Sequence, residues 1–327
     1  MKAVVTGGAG FIGSHLVERL VLDGFEVIVI DNLSTGHLEN LDSFKSKITF
    51  ENVDISKPGS WQELFDNASY VFHLAALADI VPSIQTPRKY FESNVDGTFN
   101  VLEALKDKKI KKLIYSASSS CYGVPTVYPT PEAAKIDPMY PYALTKFLGE
   151  KLVMHWSKVY KIPSISLRFF NVYGPRSRTS GTYGAMFGVF LAQKLANKPF
   201  TIVGDGNQTR DFTFVTDVVD AILCAAEKQS VSKIYNVGSG TSVSVNQVVD
   251  ILKGDKVYIP KRPGEPDSTF ADISLINNDL GWVPKINIQN GIDILLENID
   301  YWKKAPIWEP DSIKEATKDW FLYLGKN

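Results

Sequence analysis

A glycine-rich turn close to the start of the chain constrains its fold more than any other feature. Gly7, Gly10 and Gly13 follow the apolar residues 3–5 and precede a segment whose apolar side chains recur at helical spacing. This order predicts a strand that turns sharply into a helix. Gly7 would permit the turn, Gly10 would let the backbone approach a pyrophosphate, and Gly13 would let the helix lie close to the strand. The pattern therefore predicts an anion-binding helix amino terminus.

An acidic residue ends the second apolar run. Asp31 directly follows residues 27–30, and in a strand–helix–strand unit a carboxylate at this place can accept both hydroxyls of an adenosine ribose. The competing interpretation is an ordinary glycine turn in which Asp31 caps a loop. The order of strand, helix, strand and acid favours a dinucleotide site. Residues 32–36 contain no arginine that would neutralise a 2′-phosphate, so the pattern favours NAD over NADP.

Strand-like and helix-like runs continue to alternate through the first half of the chain. Further strands are predicted at residues 48–53, 70–75, 112–116 and 164–168, and helices around 61–65, from about 93 and around 144–156. This alternation predicts an α/β fold, a Rossmann-type doubly wound parallel sheet with helices on both faces. We assign residues 1–170 to a dinucleotide-binding domain that is completed by elements within 211–237.

The second half of the chain is less regular. Its predicted elements are strands at 200–203, 212–215, 234–237 and 257–259, and helices at 217–227, from a capping box at Ser244 and Gln247, and at 292–299. Residues 171–184 are rich in Gly, Pro, Ser, Thr and Arg and indicate a long functional loop. We predict a smaller carboxy-terminal α/β lobe, residues 171–210 and 238–327. Its aromatic tail beyond Ala305, which contains Trp320, is expected to pack on the body.

Composition argues against several classes of partner. The chain has 327 residues, 22% of them charged, and a net charge of -1, which does not indicate binding to nucleic acid or to a membrane surface. No apolar run approaches the ~20 residues of a membrane span, and Met1 leads almost directly into the first strand, so we expect no signal peptide. Cys121 and Cys224 form neither a disulfide framework nor a zinc motif. We expect two reduced thiols, a cytoplasmic protein and no metal.

A tyrosine and a lysine carry the predicted chemistry. Tyr142 and Lys146 are four residues apart, so they share one face of a helix. A free tyrosine has a pKa of about 10, and an adjacent ammonium would lower that pKa and make the phenol a base for a substrate hydroxyl. Ser118 follows the fifth strand at the edge where ligands bind, and it could share that proton. The competing interpretations are a surface aromatic–cation pair and a serine turn that satisfies its own backbone.

Together these motifs resemble the extended short-chain dehydrogenase/reductase superfamily. Within it the chain is most similar to the NAD-dependent nucleotide-sugar epimerases and dehydratases, above all to the UDP-hexose 4-epimerases. The resemblance runs from Met1 to about Gly291. Besides the residues above, it rests on Asn94 and on residues 54–55, 73–76, 118–123 and 168–175. It implies the cofactor NAD, a UDP-linked nucleotide sugar bound in the carboxy-terminal lobe, and a homodimer.

The resemblance also implies roles for individual residues. Tyr142 would be the catalytic base and acid, Lys146 would hold the nicotinamide ribose and tune Tyr142, and Ser118 would be the hydroxyl partner at the sugar. The residues implied at the cofactor are Gly7, Gly10, Phe11, Ile12, Gly13, Asp31, Asn32, Asp54, Ile55, Leu74, Ala75, Ala76, Asn94, Tyr142 and Lys146. The residues implied at the substrate are Ser118, Ser119, Ser120, Tyr142, Asn171, Arg210, Arg262 and Thr269. His73, inside its apolar strand, is expected to support the cleft.

Three functions fit the resemblance. The first is 4-epimerisation of a nucleotide-linked hexose through a transient 4-keto sugar, with NAD recycled in place. The second is a 4,6-dehydratase or a UDP-glucuronate decarboxylase, and the third is a non-enzymatic dinucleotide-binding regulator. Dehydratases of this group carry Asp-Glu where this chain has Ser119 and Ser120, which favours epimerisation. A carboxylate elsewhere, such as Asp79, could restore the second chemistry, and the sequence leaves open whether Asp79 and Ser83 face the substrate.

One position concerns the size of the sugar pocket. Thr269 matches a place where epimerases restricted to plain hexoses often carry a tyrosine. Because threonine is smaller, the resemblance implies room for an N-acetyl group on the sugar. The competing interpretation is a β-branched residue that only helps to form a strand.

Overall fold

The computed structural model of the protein describes residues 1–177, 186–228 and 232–325. The strands are β1 Lys2–Thr6, β2 Glu26–Asp31, β3 Ile48–Asn52, β4 Tyr70–His73, β5 Lys112–Ser118, β6 Ser164–Phe169, β7 Val172–Tyr173, β8 Phe200–Val203, β9 Thr209–Arg210, β10 Thr213–Phe214, β11 Lys233–Val237, β12 Val243–Ser244 and β13 Lys256–Ile259. The α-helices are α1 Phe11–Leu22, α2 Ile80–Gln85, α3 Pro87–Phe91, α4 Gly97–Leu105, α5 Pro141–Tyr160, α6 Met186–Leu195, α7 Val215–Glu227, α8 Val245–Leu252, α9 Ser274–Leu280, α10 Ile288–Glu297, α11 Pro310–Ala316 and α12 Lys318–Leu324.

Within these residues, seven parallel strands form one sheet in the order β11-β6-β5-β4-β1-β2-β3. The chain moves outward from β1 to β3, returns to β4 on the other side of β1, and moves outward again. Neighbouring connections therefore leave the carboxyl ends of β1 and β4 in opposite directions and open a crevice between them. The predicted Rossmann-type parallel sheet is confirmed.

Helices cover both faces of this sheet because its central strands are apolar on both sides. Val5 packs into a core with Leu16 of α1 and with α7, whereas its neighbour Val4 points into a second core with Leu102 of α4 and Val153 of α5. Val4 and Val5 are both fully buried. A strand that is buried on both faces has a continuous apolar run in its sequence. Full burial of one such aliphatic side chain stabilises the fold by about 1.5–3 kcal/mol.

Several predicted boundaries are wrong. The helix expected from about residue 93 begins earlier, because Pro87 starts α3 and a π-helical turn, Glu92–Asp96, joins α3 to α4. The predicted helix around 61–65 is a 3₁₀ segment, Ser60–Phe65. The strand predicted at 212–215 is shorter, since Val215 already opens α7.

The carboxy-terminal lobe is built from small two-stranded pairs around a core of its own. β8 pairs with β13, β9 with β12, and β7 with β10. The predicted capping box is confirmed, since the Ser244 hydroxyl accepts from Gln247 N and the Gln247 side chain accepts from Ser244 N. The part of the predicted loop at 178–184 lies outside the described residues. The tail packs on the body through Ile313 and Trp320, which are buried.

The strand β11 comes from the second half of the chain, pairs with β6 and extends the large sheet. The division of the chain into two domains stays a prediction. Among the described helices, none combines the length and the apolar character that crossing a bilayer requires. The described residues also contain no group of three or more His, Cys, Asp or Glu side chains able to hold a metal ion.

His73 ends β4 in a fully buried chain of hydrogen bonds. Its Nδ1 lies 2.7 Å from the Thr6 hydroxyl and its Nε2 lies 2.9 Å from the Thr98 hydroxyl. The Thr98 hydroxyl donates to Asn94 O, and the Thr6 hydroxyl accepts from Ala75 N. The Thr98 oxygen must then accept at His73, which places the imidazole hydrogen on Nε2 and leaves Nδ1 to accept from Thr6. Every donor and acceptor in this series of hydrogen bonds has a partner only while the imidazole is neutral.

We therefore predict that acidification weakens the fold through His73. Burial lowers the pKa of His73 from 6.5 to about 3, so below pH 6.5 the unfolded chain takes up a proton that the folded chain refuses. The folded state should lose about 1 kcal/mol through this group between pH 7.5 and 5.5. Urea unfolding at both pH values checks this.

His15 shifts stability in the same direction, because burial lowers its pKa to about 4. A His73→Asn variant isolates the contribution of His73, since it keeps His15 and should show a smaller loss between the two pH values. Nitrogen-15 NMR that found the His73 ring protonated at pH 6 would contradict the assignment.

Candidate active site

A cleft of about 650 Å³ opens at the carboxyl edge of the large sheet, between the sheet and the carboxy-terminal lobe. Every residue predicted for the cofactor or the substrate lines it except Asn94. The ends of β1, β2, β4 and β5 and the start of α5 form one side, and Arg210, Arg262 and Thr269 lie on the other. Parallel strands bring these side chains together because all their carboxyl ends meet at one edge.

The glycine turn forms one end of the cleft. Gly7 has φ +74°, and a Cβ there would lie 2.6 Å from Ala75 N in the loop after the neighbouring strand β4. A Cβ on Gly13 would lie 2.0 Å from Gly7 O, so the third glycine lets the helix pack on the turn itself. No side chain caps the amino terminus of α1, and its first turn contains no acidic residue. These open N–H groups and the positive end of the helix dipole fit a pyrophosphate.

Asp31 combines the two interpretations that its sequence position allowed. It lines the cleft, and it also accepts hydrogen bonds from Ala9 N at 3.0 Å and from Leu33 N at 2.8 Å. Burial raises the pKa of Asp31, and these two hydrogen bonds oppose the rise. Each carboxylate oxygen has a further lone pair, so the loop contacts leave acceptor capacity for ribose hydroxyls.

Asn94 lies behind the wall of the cleft. Its amide donates to Leu77 O and to the Thr145 hydroxyl, both at 3.0 Å, and its carbonyl accepts from Leu77 N at 2.8 Å. Asn94 sits in the π-helical turn between α3 and α4, a form of helix that is frequent at functional sites. It therefore fixes the loop after β4, which carries Ala75 and Ala76, to the helix α5.

Tyr142 and Ser118 meet in the middle of the cleft. The Tyr142 hydroxyl donates to Ser118 Oγ at 3.2 Å, and Ser118 Oγ lies 2.8 Å from Ser120 Oγ. Ser118 also caps the following 3₁₀ turn by accepting from Ser120 N. The serine turn thus satisfies its own backbone and still presents hydroxyl groups to the cleft.

The predicted lowering of the Tyr142 pKa is wrong for the protein by itself. Burial raises the pKa of Tyr142, hydrogen bonds with Ser118 and Ser120 lower it, and the charge of Asp79 raises it. Burial also lowers the pKa of Lys146 to about 7, against the attraction of Glu150. Burial thus disfavours the charged form of both groups, so activation of the phenol requires a further positive charge beside it.

A buried ion pair holds the helix α5 against the sheet. Glu150 of α5 and Arg168 of β6 approach to 2.6 Å, with both side chains almost fully buried. Arg168 also donates to the Tyr122 hydroxyl at 2.8 Å, which in turn donates to Asn236 of β11 at 2.7 Å. The sequence offered no signal for Glu150 beyond its place one turn after Lys146.

Two arginines form the other end of the cleft. The Arg210 guanidinium donates to Glu265 at 2.8 Å, and Arg262 lies 3.8 Å from the other oxygen of that carboxylate. The Thr269 hydroxyl donates to the Asn171 side-chain oxygen at 2.7 Å. Guanidinium groups bind phosphate oxygens with a fixed geometry, so these two arginines fit an anionic ligand. Sequence reasoning missed Glu265, although it lies between Arg262 and Thr269 in the chain.

Comparison with known proteins identifies the family. Residues 3–238 match the model of the NAD dependent epimerase/dehydratase family. The chain is 37% identical over 297 residues to a putative UDP-glucose 4-epimerase of Methanocaldococcus jannaschii, which covers 88% of this chain and 95% of that one.

The protein belongs to the NAD-dependent epimerase/dehydratase family. Two solved structures of the family have the same fold. The UDP-glucuronic acid 4-epimerase of Bacillus cereus, in complex with UDP-glucuronic acid and NAD, is 32% identical with a TM-score of 0.86 and covers 92% of this chain and 99% of its own. The UDP-N-acetylglucosamine 4-epimerase of Methanobrevibacter ruminantium, in complex with UDP-N-acetylmuramic acid, is 33% identical with a TM-score of 0.84 and covers 90% and 98%.

Membership of the epimerase/dehydratase family confirms three of the predictions. The chain is an extended short-chain dehydrogenase/reductase, it is an enzyme of the isomerase class, and its cofactor is NAD. The glycine turn, the open amino terminus of α1 and Asp31 fit this cofactor. When bound, NAD would supply the hydride acceptor and donor, and its positive ring would supply the further charge that activation of the phenol requires.

Removing the Tyr142 hydroxyl tests its assignment. Tyr142→Phe keeps the ring but removes the proton carrier, so turnover should fall by a factor of about 10² to 10⁴ while bound NAD is retained. Tyr160→Phe, at the exposed end of the same helix, is the matched control and should leave turnover unchanged. Product formation and the NAD content of both variants decide the outcome. Near-normal turnover of Tyr142→Phe would mean that another group moves the proton.

Proposed function

We propose that the protein is a 4-epimerase of a UDP-linked hexose that acts through a transient 4-keto sugar. The observation that carries this proposal is the Tyr142–Ser118 hydrogen bond in a cleft that also contains Arg210 and Arg262. Residues 1–170, with elements of 211–237, would hold NAD. Residues 171–210 and 238–327 would hold the nucleotide sugar.

The proton moves between the sugar and the chain's own side chains. Tyr142 would take the proton of the 4-hydroxyl, either directly or through Ser118, and NAD, when bound, would accept the C4 hydrogen with its electron pair. The ketone would then turn over in the cleft. Return of the hydride to the opposite face of C4, with return of the proton to the 4-oxygen by Tyr142, would invert that carbon and leave NAD unchanged. Lys146 would hold the cofactor ribose beside Tyr142, and Asn171, Arg210 and Arg262 would hold the diphosphate.

The alternative is dehydration or decarboxylation of the same keto sugar. Both need an additional acid or base, and Ser119 and Ser120 provide only hydroxyls where the dehydratases of this group carry carboxylates. Asp79 lines the cleft and its charge reaches Tyr142, so it is the carboxylate that could serve.

A panel of UDP-sugars with product NMR tests the proposal. We expect interconversion of a 4-epimer pair of neutral hexoses, without net consumption of NAD. Build-up of a 4-keto-6-deoxy sugar, or release of carbon dioxide from UDP-glucuronate, would contradict it. Asp79→Asn distinguishes the two chemistries, because it should abolish dehydration but leave epimerisation.

We further propose that the pocket admits 2-acetamido sugars. Thr269 lines the cleft, where its hydroxyl joins Asn171 to the backbone of Asp211. A tyrosine at this place would fill volume that an N-acetyl group could occupy, and packed interiors do not expand to admit extra atoms. The similar UDP-N-acetylglucosamine 4-epimerase supports this choice.

Thr269→Tyr should suppress turnover of UDP-N-acetylhexoses selectively and keep that of plain UDP-hexoses. Thr269→Val keeps the volume but loses the hydrogen bond to Asn171, so it separates crowding from misplacement of Asn171. The kcat/KM values of both substrates for both variants provide the measurement. Equal loss of both activities in Thr269→Tyr would contradict the proposed role of Thr269 in admitting N-acetylated sugars. A parent enzyme that does not turn over N-acetylated sugars would contradict it as well.

We propose that two copies pair through the exposed apolar face of α3 and α5. Phe91 is 41% exposed and Leu144 is 45% exposed, and a shallow apolar groove between these helices is lined by Val95, Leu148 and Leu152. Exposed apolar patches of this kind mark association sites. Sedimentation velocity should find a dimer that Leu148→Glu dissociates, and a monomeric parent protein would contradict the proposal.

We also propose that the protein is cytoplasmic. Its two thiols, Cys121 and Cys224, are unpaired, and burial raises the pKa of both. Reduced thiols are usual in a reducing compartment. Recovery of the native protein from a secreted fraction would contradict this.

A further inference from the structure

The carboxy-terminal helix α12 contributes one side chain to the wall of the active-site cleft. Trp320 lines the cleft and is 4% exposed, whereas its neighbours Phe321, Leu322 and Tyr323 face outward. The Trp320 indole N–H donates to Pro263 O at 2.7 Å. A buried indole with its hydrogen bond made is a fixed surface.

This indole contacts groups on both sides of the cleft. The Arg262 guanidinium carbon lies 5.3 Å from the centroid of the Trp320 ring, within the range of a cation–π interaction. On the other side the Trp320 ring lies 6.4 Å from that of Tyr140, and Tyr140 stacks at 6.2 Å on Tyr142 with an interplanar angle of 11°. The ring therefore sits between a diphosphate-binding arginine and the aromatic pair that contains the catalytic tyrosine.

The helix that carries Trp320 is attached to the cofactor-binding side as well. Asp319 accepts a hydrogen bond from Gln85 of α2 at 2.8 Å, and α2 begins with Ile80 and Val81, which line the cleft. The helix α12 thus bridges α2, which follows β4 of the large sheet, and the turn of Arg262 and Pro263 in the other lobe.

We propose that Trp320 is a substrate-positioning residue that holds Arg262 and Tyr140 at a fixed separation, so that the diphosphate and the sugar are bound in register with Tyr142. The ligand class is a nucleoside diphosphate sugar, and in this respect the proposal rests on the proposed function. The face of the indole ring orients Arg262 through the cation–π interaction. The indole N–H orients the turn that contains Arg262 and Pro263 by donating to Pro263 O. Its action is on binding, because Tyr142 and Ser118 meet without it.

The first experiment compares Trp320→Ala and Trp320→Phe in the full-length enzyme. Trp320→Ala should weaken binding of UDP, measured by calorimetry, and raise KM for the substrate by about tenfold, because it removes both the ring face and the hydrogen bond. The value of kcat and the bound NAD should change little. Trp320→Phe keeps a ring but loses the indole N–H, so its UDP affinity should lie between those of the parent and of Trp320→Ala.

Tyr323→Ala is the matched control, because it removes an exposed aromatic ring from the same helix. Its UDP affinity should stay within about twofold of the parent. Thermal unfolding of all variants shows whether a change in affinity accompanies general loss of the fold. Parent-like UDP affinity and KM in Trp320→Ala would overturn the proposal. A parallel fall of kcat, NAD content and melting temperature in both ring variants would overturn it too, because it would mean a purely structural role.

Tryptophan fluorescence gives a readout that does not depend on turnover. Binding of UDP should change the emission of the parent, and this change should be lost in Trp320→Phe, which keeps the other tryptophans. A parent protein that binds UDP with this signal but epimerises no sugar would contradict the proposed function and support the role of Trp320. A parent that epimerises UDP-sugars with the same UDP-induced signal in Trp320→Phe would contradict only the role of Trp320.

Discussion

The buried ion pair between Glu150 and Arg168 is the interaction on which the active site depends. It joins the helix that carries Tyr142 and Lys146 to the strand β6, and the hydrogen bonds of Arg168 continue through Tyr122 to the edge strand β11. Removing charges from water is costly, and a pair of this kind is worth little net stability compared with apolar residues. Removing one partner, however, leaves an uncompensated buried charge and costs about 3–5 kcal/mol. The pair therefore fixes the position of α5 more than it strengthens the fold.

Burial, which makes this pair effective, also acts on Tyr142 and Lys146. It raises the pKa of Tyr142 and lowers that of Lys146 to about 7, so it disfavours the charged form of both groups. The positive ring of NAD would change this balance when bound. Proton transfer would then be coupled to the presence of the oxidised cofactor, which suits the proposed reaction, because the proton leaves the 4-hydroxyl oxygen while the hydride leaves C4.

Local sequence pattern was sufficient for the parts of the fold that repeat. Gly7, Gly10, Gly13 and Asp31 could be placed at one end of a cleft because parallel strands with alternating helices fix where the carboxyl ends lie. Contacts between segments that are distant in the chain could not be predicted from the sequence. Nothing near Asn94 indicates that it faces Leu77 instead of the cleft, since a π-helical turn rotates it by an amount that periodicity does not record. Trp320 was expected to pack on the body, but its place in the cleft depends on a contact with Pro263.

The carboxylate of Glu265 has a consequence for the rate of the whole cycle. It already occupies Arg210 and approaches Arg262, so both guanidinium groups are ordered before a ligand arrives. A diphosphate bound as proposed would exchange with this internal anion, which would lower the ordering cost of binding but also limit the affinity. On departure of the product the carboxylate would re-engage. Such an internal competitor would shorten the residence time, which matters when substrate and product differ in the orientation of one hydroxyl and compete for the same site.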